Sequence, residues 1–449
     1  MNVTIIGTGY VGLTTGTALG FLGHNVTCVD KNPEVVERLS RGEATIHEPG
    51  LEELLKEADI CFTTEIPPLK EDGIVIIAVG TPTKANGDAD LQYVDAAAKE
   101  VADRIAPGVQ LVVVNKSTVP IGSAKHVQGI IHRCLEERGV EATVWVASNP
   151  EFLAEGKAVH DSLYPDRIVI GADNPTAIGM LREMYAPLLE QTFEPPLETP
   201  RPERYSLPPL ITTTPTSAEL TKYAANSFLA TKISFINEFA GLAEKVGADI
   251  TQVARAIGLD TRIGPRFLNA GIGWGGSCFG KDTQAIVTTA QTYDHEMTIV
   301  KSAIEVNQRQ RQYVVDQLQR HLKVLRGTTI GLLGLAFKPD TDDLRDSPAL
   351  TLIELLTDRG AVVKVHDPIA MQNCQRQFPG LPVEYCPDPE SLAAGCDAVV
   401  LVTDWSDYRH LPLYEMGQRM TGDLLLDARN MLNSSDVEKH GLRYAGVGV

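Results

Sequence analysis

The stretch Gly7-Thr8-Gly9-Tyr10-Val11-Gly12 constrains the fold of this chain more than any other six residues. An apolar run at residues 2–7 leads into it, and an Ala/Gly/Leu-rich segment follows to about Leu22. A second apolar run, NVTCVD, then ends on Asp30. Strand, Gly-x-Gly-x-x-Gly, helix, strand and acid in that order is the pattern of a dinucleotide-binding βαβ unit. Gly7 permits the tight turn, Gly9 lets the backbone approach a pyrophosphate, and Gly12 lets the helix pack close to the sheet. The helix that opens at Tyr10 and Val11 offers unpaired N–H groups and a positive dipole end to phosphates. Asp30 is placed to accept a hydrogen bond from a ribose hydroxyl.

Continuous apolar runs at 73–82 (GIVIIAVGTP) and 109–120 (VQLVVVNKSTVP) predict parallel strands buried on both faces. Ligands of an open α/β sheet sit beyond the carboxyl ends of its strands. Gly80, Thr81 and Pro82, and Ser117 and Thr118, are therefore expected to line the cofactor cleft; capping a helix is the other reading of Ser117 and Thr118. VWVASNPEFLAEG (144–156) is a further strand running into a polar loop, where Glu151 and Glu155 would share a face if the loop turned helically. Seven prolines in 194–216 argue against regular structure and for a surface loop or insertion. A long helix is predicted from about Ala218 to Val246, with Leu220, Ala224, Phe228 and Phe239 on an apolar stripe and Lys222 and Asn226 together on one face. Its length and apolar content suit a connector between domains that also carries a dimer interface. A second α/β unit begins near residue 326. Its strands at 361–368, 396–405 and 422–430 repeat the first pattern as far as an acid, Asp367, but without Gly-x-Gly-x-x-Gly.

GGSCFGKD (275–282) stands apart, because core cysteines prefer apolar neighbours and Cys278 has small and charged ones. That setting suits a reactive thiolate. The other cysteines are scattered without metal-ligand spacing, so no metal site is expected. An odd count of seven, with no leader-like N-terminus, predicts reduced thiols and a cytoplasmic protein. A net charge of −18 disfavours nucleic acid as a partner, since that affinity rests on neutralising phosphates. No apolar run reaches the roughly 20 residues needed to span a bilayer, so no membrane association is expected.

The motifs GTGYVG, EPGL (48–51), VGTP (79–82), KSTVP (116–120), NPEFLAEG (149–156), ELTKYAANSFLATKISFINE, RIGPRFLNAGIGWGGSCFGKD and GLAFKPDTDDLRDSP together resemble the UDP-glucose/GDP-mannose dehydrogenases nearly end to end. The resemblance implies an α/β chain of two Rossmann-like, doubly wound domains joined by a helical domain with a long central helix. Its expected parts are an NAD-binding domain (1–200), a central dimerisation domain (217–310) and a UDP-sugar-binding domain (320–449). It implies NAD as cofactor, a homodimer or higher homo-oligomer, and oxidation of a sugar C6 alcohol to the carboxylate. GIGWGGSCFGKD and NPEFLAEG lean toward UDP-glucose as substrate; GDP-mannose and UDP-N-acetylmannosamine are the alternatives.

Carried over by motif, Cys278 is the nucleophile, with Lys222, Asn226 and Asp282 as catalytic neighbours and Thr118 and Glu155 positioning water. Glu155, Lys281 and Arg345 lie toward NAD. Glu151, Phe152 and Leu153 line the sugar site. Phe267, Asn269, Gly271, Gly273, Gly275 and Lys338 cradle the nucleotide, with Arg429 near the substrate and Arg262 reaching from a neighbouring subunit. The chain departs from the family at Gly280, where proline or glutamine is common, and at Val35, where a basic residue is common. Two more distant readings are a two-electron hydroxyacid-type dehydrogenase, which has no use for Cys278, and a non-catalytic sugar-nucleotide sensor.

Asp30 predicts a preference for NAD over NADP, because its carboxylate binds a ribose 2′-hydroxyl and repels a 2′-phosphate. Lys31 beside it is a basic residue that could accommodate that phosphate, so comparable kcat/KM for the two cofactors would contradict this role of Asp30.

Overall fold

The computed structural model describes residues 1–84 and 87–449. The chain divides into two compact units, Met1–Ala225 with Gln284–Tyr293, and Asn226–Thr283 with Asp294–Val449.

The first unit is built on an eight-stranded sheet. Its strands are β1 (Asn2–Ile6), β2 (Asn25–Val29), β3 (Ile60–Thr63), β4 (Gly73–Ile77), β5 (Gln110–Asn115), β6 (Thr143–Ser148), β7 (Ile168–Gly171) and β8 (Leu210–Thr213). The order is β3-β2-β1-β4-β5-β6-β7-β8. The first six run parallel in the doubly wound order. β7 turns antiparallel to β6, and β8 pairs parallel with β7 at the edge. β4 is buried at every residue, as its unbroken apolar run requires. Val75, Ile77, Leu111 and Val113 pack toward one core, and Ile74, Ile76, Val112 and Val114 toward another.

β8 corrects the reading of 194–216 as loop alone. The prolines lie on either side of Leu210–Thr213, leaving four residues able to pair, and Pro209 joins them by accepting from the Ile168 amide at 3.0 Å. At a sheet edge the missing proline N–H groups do little harm. The long helix also starts earlier than expected, at Pro215, because proline is well suited to a first helical position. It runs 32 residues to Val246.

The second unit holds a six-stranded parallel sheet. Its strands are β9 (Thr329–Leu333), β10 (Val362–His366), β11 (Val383–Tyr385), β12 (Ala398–Leu401), β13 (Leu424–Asp427) and β14 (Arg443–Gly446). The order β11-β10-β9-β12-β13-β14 repeats that of the first six strands. Its core also takes in Ile236, Ala240 and Ala243 of the long helix and Leu268, Ala270 and Ile272 of the following loop.

Two glycines of the fingerprint are needed for different reasons. A Cβ on Gly12 would collide with the Gly7 carbonyl, whereas a Cβ on Gly9 would meet nothing within 4 Å. Gly12→Ala is therefore expected to destabilise the protein by about 1–3 kcal/mol, by overpacking. Gly9→Ala should keep the wild-type Tm and lose NAD affinity by roughly tenfold or more, since its crowding arises only against a bound pyrophosphate. Thermal melts with NAD titrations check both, and an equal loss of Tm in the two variants would contradict the assignment.

Candidate active site

In the first unit the fingerprint helix Tyr10–Phe21 has Gly9 at its N-cap, which brings no capping side chain of its own. Asp30 is fixed by its neighbours. One oxygen accepts from the Thr8 amide at 3.1 Å and its hydroxyl at 2.6 Å, and the other from the Asn32 amide at 2.9 Å. The adjacent Lys31 pairs with Glu100 at 3.3 Å. The two cleft loops are laced together by Thr81 Oγ1 donating to the Thr118 carbonyl (2.9 Å) and Ser117 Oγ to the Val79 carbonyl (2.6 Å). The helix Ser123–Arg138 is N-capped by Gly122, so neither Ser117 nor Thr118 is a cap.

The loop 151–154 after β6 is not helical, and so Glu151 and Glu155 do not share a helical face. Glu151 is buried and forms an ion pair with Lys222, Oε1 to Nζ at 2.8 Å, while its Oε2 accepts from the Leu153 amide at 2.6 Å. Burial pushes the Glu151 carboxyl up. The Lys222 charge and hydrogen bond, the Leu153 amide and the Lys116 charge together outweigh it and hold the group below the usual carboxylate range. Phe152 has the Arg167 guanidinium 3.7 Å from its ring centroid and the Lys222 ammonium at 5.6 Å. Glu155 is half-buried, and the turn beyond it is fixed by Glu48, whose two oxygens accept from the Gly156 amide (2.7 Å) and the Ala158 amide (2.6 Å).

In the second unit Cys278 directly precedes the 13-residue helix Phe279–Gln291, and its carbonyl accepts from the Asp282 amide at 2.8 Å. The thiol thus stands at a helix N-terminus, half-buried, where a thiolate is favoured. Ser277 Oγ lies 3.5 Å from its sulfur. Asp282 is wholly buried and both its oxygens are engaged, one with Lys281 Nζ at 2.7 Å and the other with Asn226 Nδ2 at 2.6 Å. Lys222 and Asn226, four apart on one helix, are both buried, whereas Leu220, Ala224, Phe228 and Phe239 are exposed.

The loop 269–276 is shaped by backbone hydrogen bonds. Asn237 Oδ1 accepts from the Gly271 amide (2.8 Å), Gln310 Nε2 donates to its carbonyl (2.8 Å), and the Asn307 amide bonds both backbone groups of Trp274 (2.8 and 2.9 Å). Side chains at Gly275 and Gly276 would strike the Asp346 carbonyl and the Phe337 ring, so these glycines are required by the protein's own packing before any ligand is considered. Phe267 holds a left-handed backbone (φ 64), a costly conformation for an aromatic residue. Arg429 is brought to the loop but commits its donors to the carbonyls of Val402 (2.7 Å), Gly273 (3.2 Å) and Phe337 (3.3 Å), so it sets the loop's shape. Arg345 is chelated by Asp343, and Lys338 lies over the Phe337 ring at 5.5 Å. Asn269 is exposed. The Arg262 side chain stands 87% exposed and is paired with Asp260. Reasoning from sequence assigned no role to Glu48, Asn307, Gln310 or Arg167. Glu48 lies in the EPGL motif, but nothing in one sequence marks a carboxylate that binds amides more than a hundred residues away.

The sequence matches three family models: the NAD-binding domain of the UDP-glucose/GDP-mannose dehydrogenase family over residues 1–189, the central domain over 216–309 and the UDP-binding domain over 331–434. It is 44% identical to a UDP-glucose 6-dehydrogenase of Rhizobium meliloti, covering 100% of this chain and 99% of that one. A UDP-glucose dehydrogenase structure from Pyrobaculum islandicum superposes with a TM-score of 0.85 at 38% identity, covering 100% of this chain and 97% of that one. A UDP-D-ManNAc dehydrogenase from Pyrococcus horikoshii gives 0.83 at 25%, covering 100% and 99%. With all three of its domains matched in order and relatives aligned along its whole length, this chain belongs to the UDP-glucose/GDP-mannose dehydrogenase family.

Proposed function

We propose that this protein oxidises UDP-glucose at C6 to UDP-glucuronate with two equivalents of NAD and one water, releasing two NADH and three protons. The observation that carries the chemistry is Cys278 at a helix N-terminus, one turn before the buried Asp282 that Asn226 and Lys281 bind. The full-length identity of 44% to a UDP-glucose 6-dehydrogenase, against 25% to a UDP-D-ManNAc dehydrogenase, supports the choice of sugar. No helix among the described residues is long and apolar enough to cross a membrane. The six cysteines other than Cys278 are free thiols, which supports a reducing, cytoplasmic setting.

The chain's part follows from the electron count. NAD, when bound, accepts one hydride in each oxidation. The first oxidation takes the alcohol to the aldehyde, with Lys222 and Asn226 holding the oxygen as its proton leaves; one such donor is worth roughly 3 kcal/mol. An aldehyde carbon has no C–O⁻ to expel a second hydride. The Cys278 thiolate adds to it, forming a C–S bond and a tetrahedral oxyanion on the same donors. Loss of the second hydride leaves a thioester. Water, positioned by Thr118 and Glu155, attacks the acyl carbon; the C–S bond breaks and the thiolate is regenerated. Asp282, with both oxygens taken, orients Asn226 and Lys281.

Two NADH per UDP-glucose is the expected stoichiometry, and a ratio of one would refute the four-electron reading. Cys278→Ala should bind both ligands and stall before the second oxidation. Cys278→Ser should accumulate an ester adduct visible by intact-protein mass spectrometry, because an oxygen ester is a poorer acyl donor than a thioester. Near-normal UDP-glucuronate formation by Cys278→Ala would sink the mechanism. A panel of GDP-mannose and UDP-N-acetylmannosamine tests the substrate.

The exposed apolar residues Phe228, Phe235, Phe239, Leu242 and Val246 recur at helical spacing, which supports burial of this face against a second copy. In such a homodimer Arg262 binds the partner's substrate. Mixing Arg262→Ala with Cys278→Ala subunits is then expected to restore one competent site per heterodimer. Absence of rescue, with subunit exchange confirmed, would exclude the shared site.

A further inference from the structure

Glu219 lies one turn before Lys222 on the long helix and is only 4% exposed. None of the roles above uses it. Its Oε2 accepts from the Gly122 amide at 2.6 Å, and its Oε1 from the Ala124 amide at 2.9 Å and from Ser148 Oγ at 2.9 Å. Gly122 is the N-cap of the helix Ser123–Arg138, sits at φ 94 and has no side chain to satisfy the first amides. Glu219 therefore performs from another helix the capping that a serine or aspartate ordinarily performs locally.

That is a costly way to cap a helix. Burial pushes the Glu219 carboxyl up, and its three hydrogen bonds recover only part of the shift. What the arrangement adds is a connection. The capped helix follows directly from Lys116–Pro120, whose other end is tied by Ser117 to the Val79 carbonyl and by Thr81 to the Thr118 carbonyl. Ser148 closes β6, just ahead of the loop that carries Glu151. One carboxylate thus joins the three segments that bear Thr118, Glu151 and Lys222, all within the first unit.

We infer that Glu219 is a positioning residue that sets the Thr118 loop against the Glu151–Lys222 pair, and thereby governs hydrolysis of the thioester. The inference rests on the function proposed above. Glu219 holds the two amides and Ser148 by hydrogen bonds, so its influence passes through the loop geometry.

Glu219→Gln keeps the shape but turns an NH2 group toward the Gly122 or the Ala124 amide. In the full-length enzyme it is expected to bind UDP-glucose within about threefold of wild type and to lower kcat by roughly 10- to 100-fold, the scale of a small misplacement. It should also show a burst of two NADH per site before slow turnover, with an acyl adduct on Cys278 by mass spectrometry. Ser148→Ala removes one bond and leaves both amides capped; it should lower kcat about threefold with the same adduct and an unchanged Tm, and it decides the question if Glu219→Gln does not fold. A merely structural role predicts a lower Tm with normal kcat per folded site, no burst and no adduct, and that result, in Glu219→Gln or in a fully folded Ser148→Ala, overturns the inference. A wild-type enzyme that fails to yield two NADH per UDP-glucose removes the proposed function, and this inference with it. An active wild type with unaffected variants removes this inference alone.

Discussion

The buried ion pair between Lys222 and Glu151 sets the terms for the first unit. Taking two such charges out of water costs on the order of several kcal/mol per ion, and only close geometry with further hydrogen bonds offsets it. The structure supplies both: a 2.8 Å contact, the Leu153 amide on the second carboxylate oxygen, and the Phe152 ring beneath the ammonium. The non-helical path of 151–154 follows, since the carboxylate must curl back onto its own loop. A lysine held this way is fixed in position in a dry place, where electrostatic interactions are strongest.

The two sheets share a strand order and put it to different uses. Asp30 and Asp367 end corresponding strands, β2 and β10. Asp30 anchors the glycine turn and stands half-buried at the cleft. Asp367 is wholly buried; its oxygens accept from the amides of Leu335, Ala336, Ile369 and Ala370 and from the Trp405 indole. A carboxylate so occupied holds its own loops together and cannot read a ribose. The same residue at the same place in one topology anchors a glycine turn and stays partly exposed in one sheet, and is a buried structural knot in the other.

Much of the site was legible because its residues occur in runs. GTGYVG, KSTVP, NPEFLAEG and GGSCFGKD each place their chemistry within a few positions, and chemistry tied to a strand end or a helix start is visible in one dimension. Lys222 and Asn226 were legible for a similar reason, since helical spacing puts residues four apart on one face. Glu48 and Glu219 were not, because each binds amides 95 or more residues away. Arg429 was found by its motif but not understood, as its value lies in three carbonyls contributed by distant loops. The strand at Leu210–Thr213 was hidden by the prolines around it, whose missing N–H groups matter less at an edge.

Periodicity and glycine placement are local properties of the chain, and they were enough to mark strands in both units and the dinucleotide turn; the doubly wound order was what the resemblance implied, and the helix that starts after Cys278 came only with the structure. Which carboxylates are knots and which are tools was settled only on folding. Folding gave both Asp282 oxygens to Asn226 and Lys281, paired Glu151 with Lys222, and made Gly275 and Gly276 necessary through Asp346 and Phe337. The reason is physical: a buried charge takes its character from the partners that surround it, and those partners are far apart in the chain.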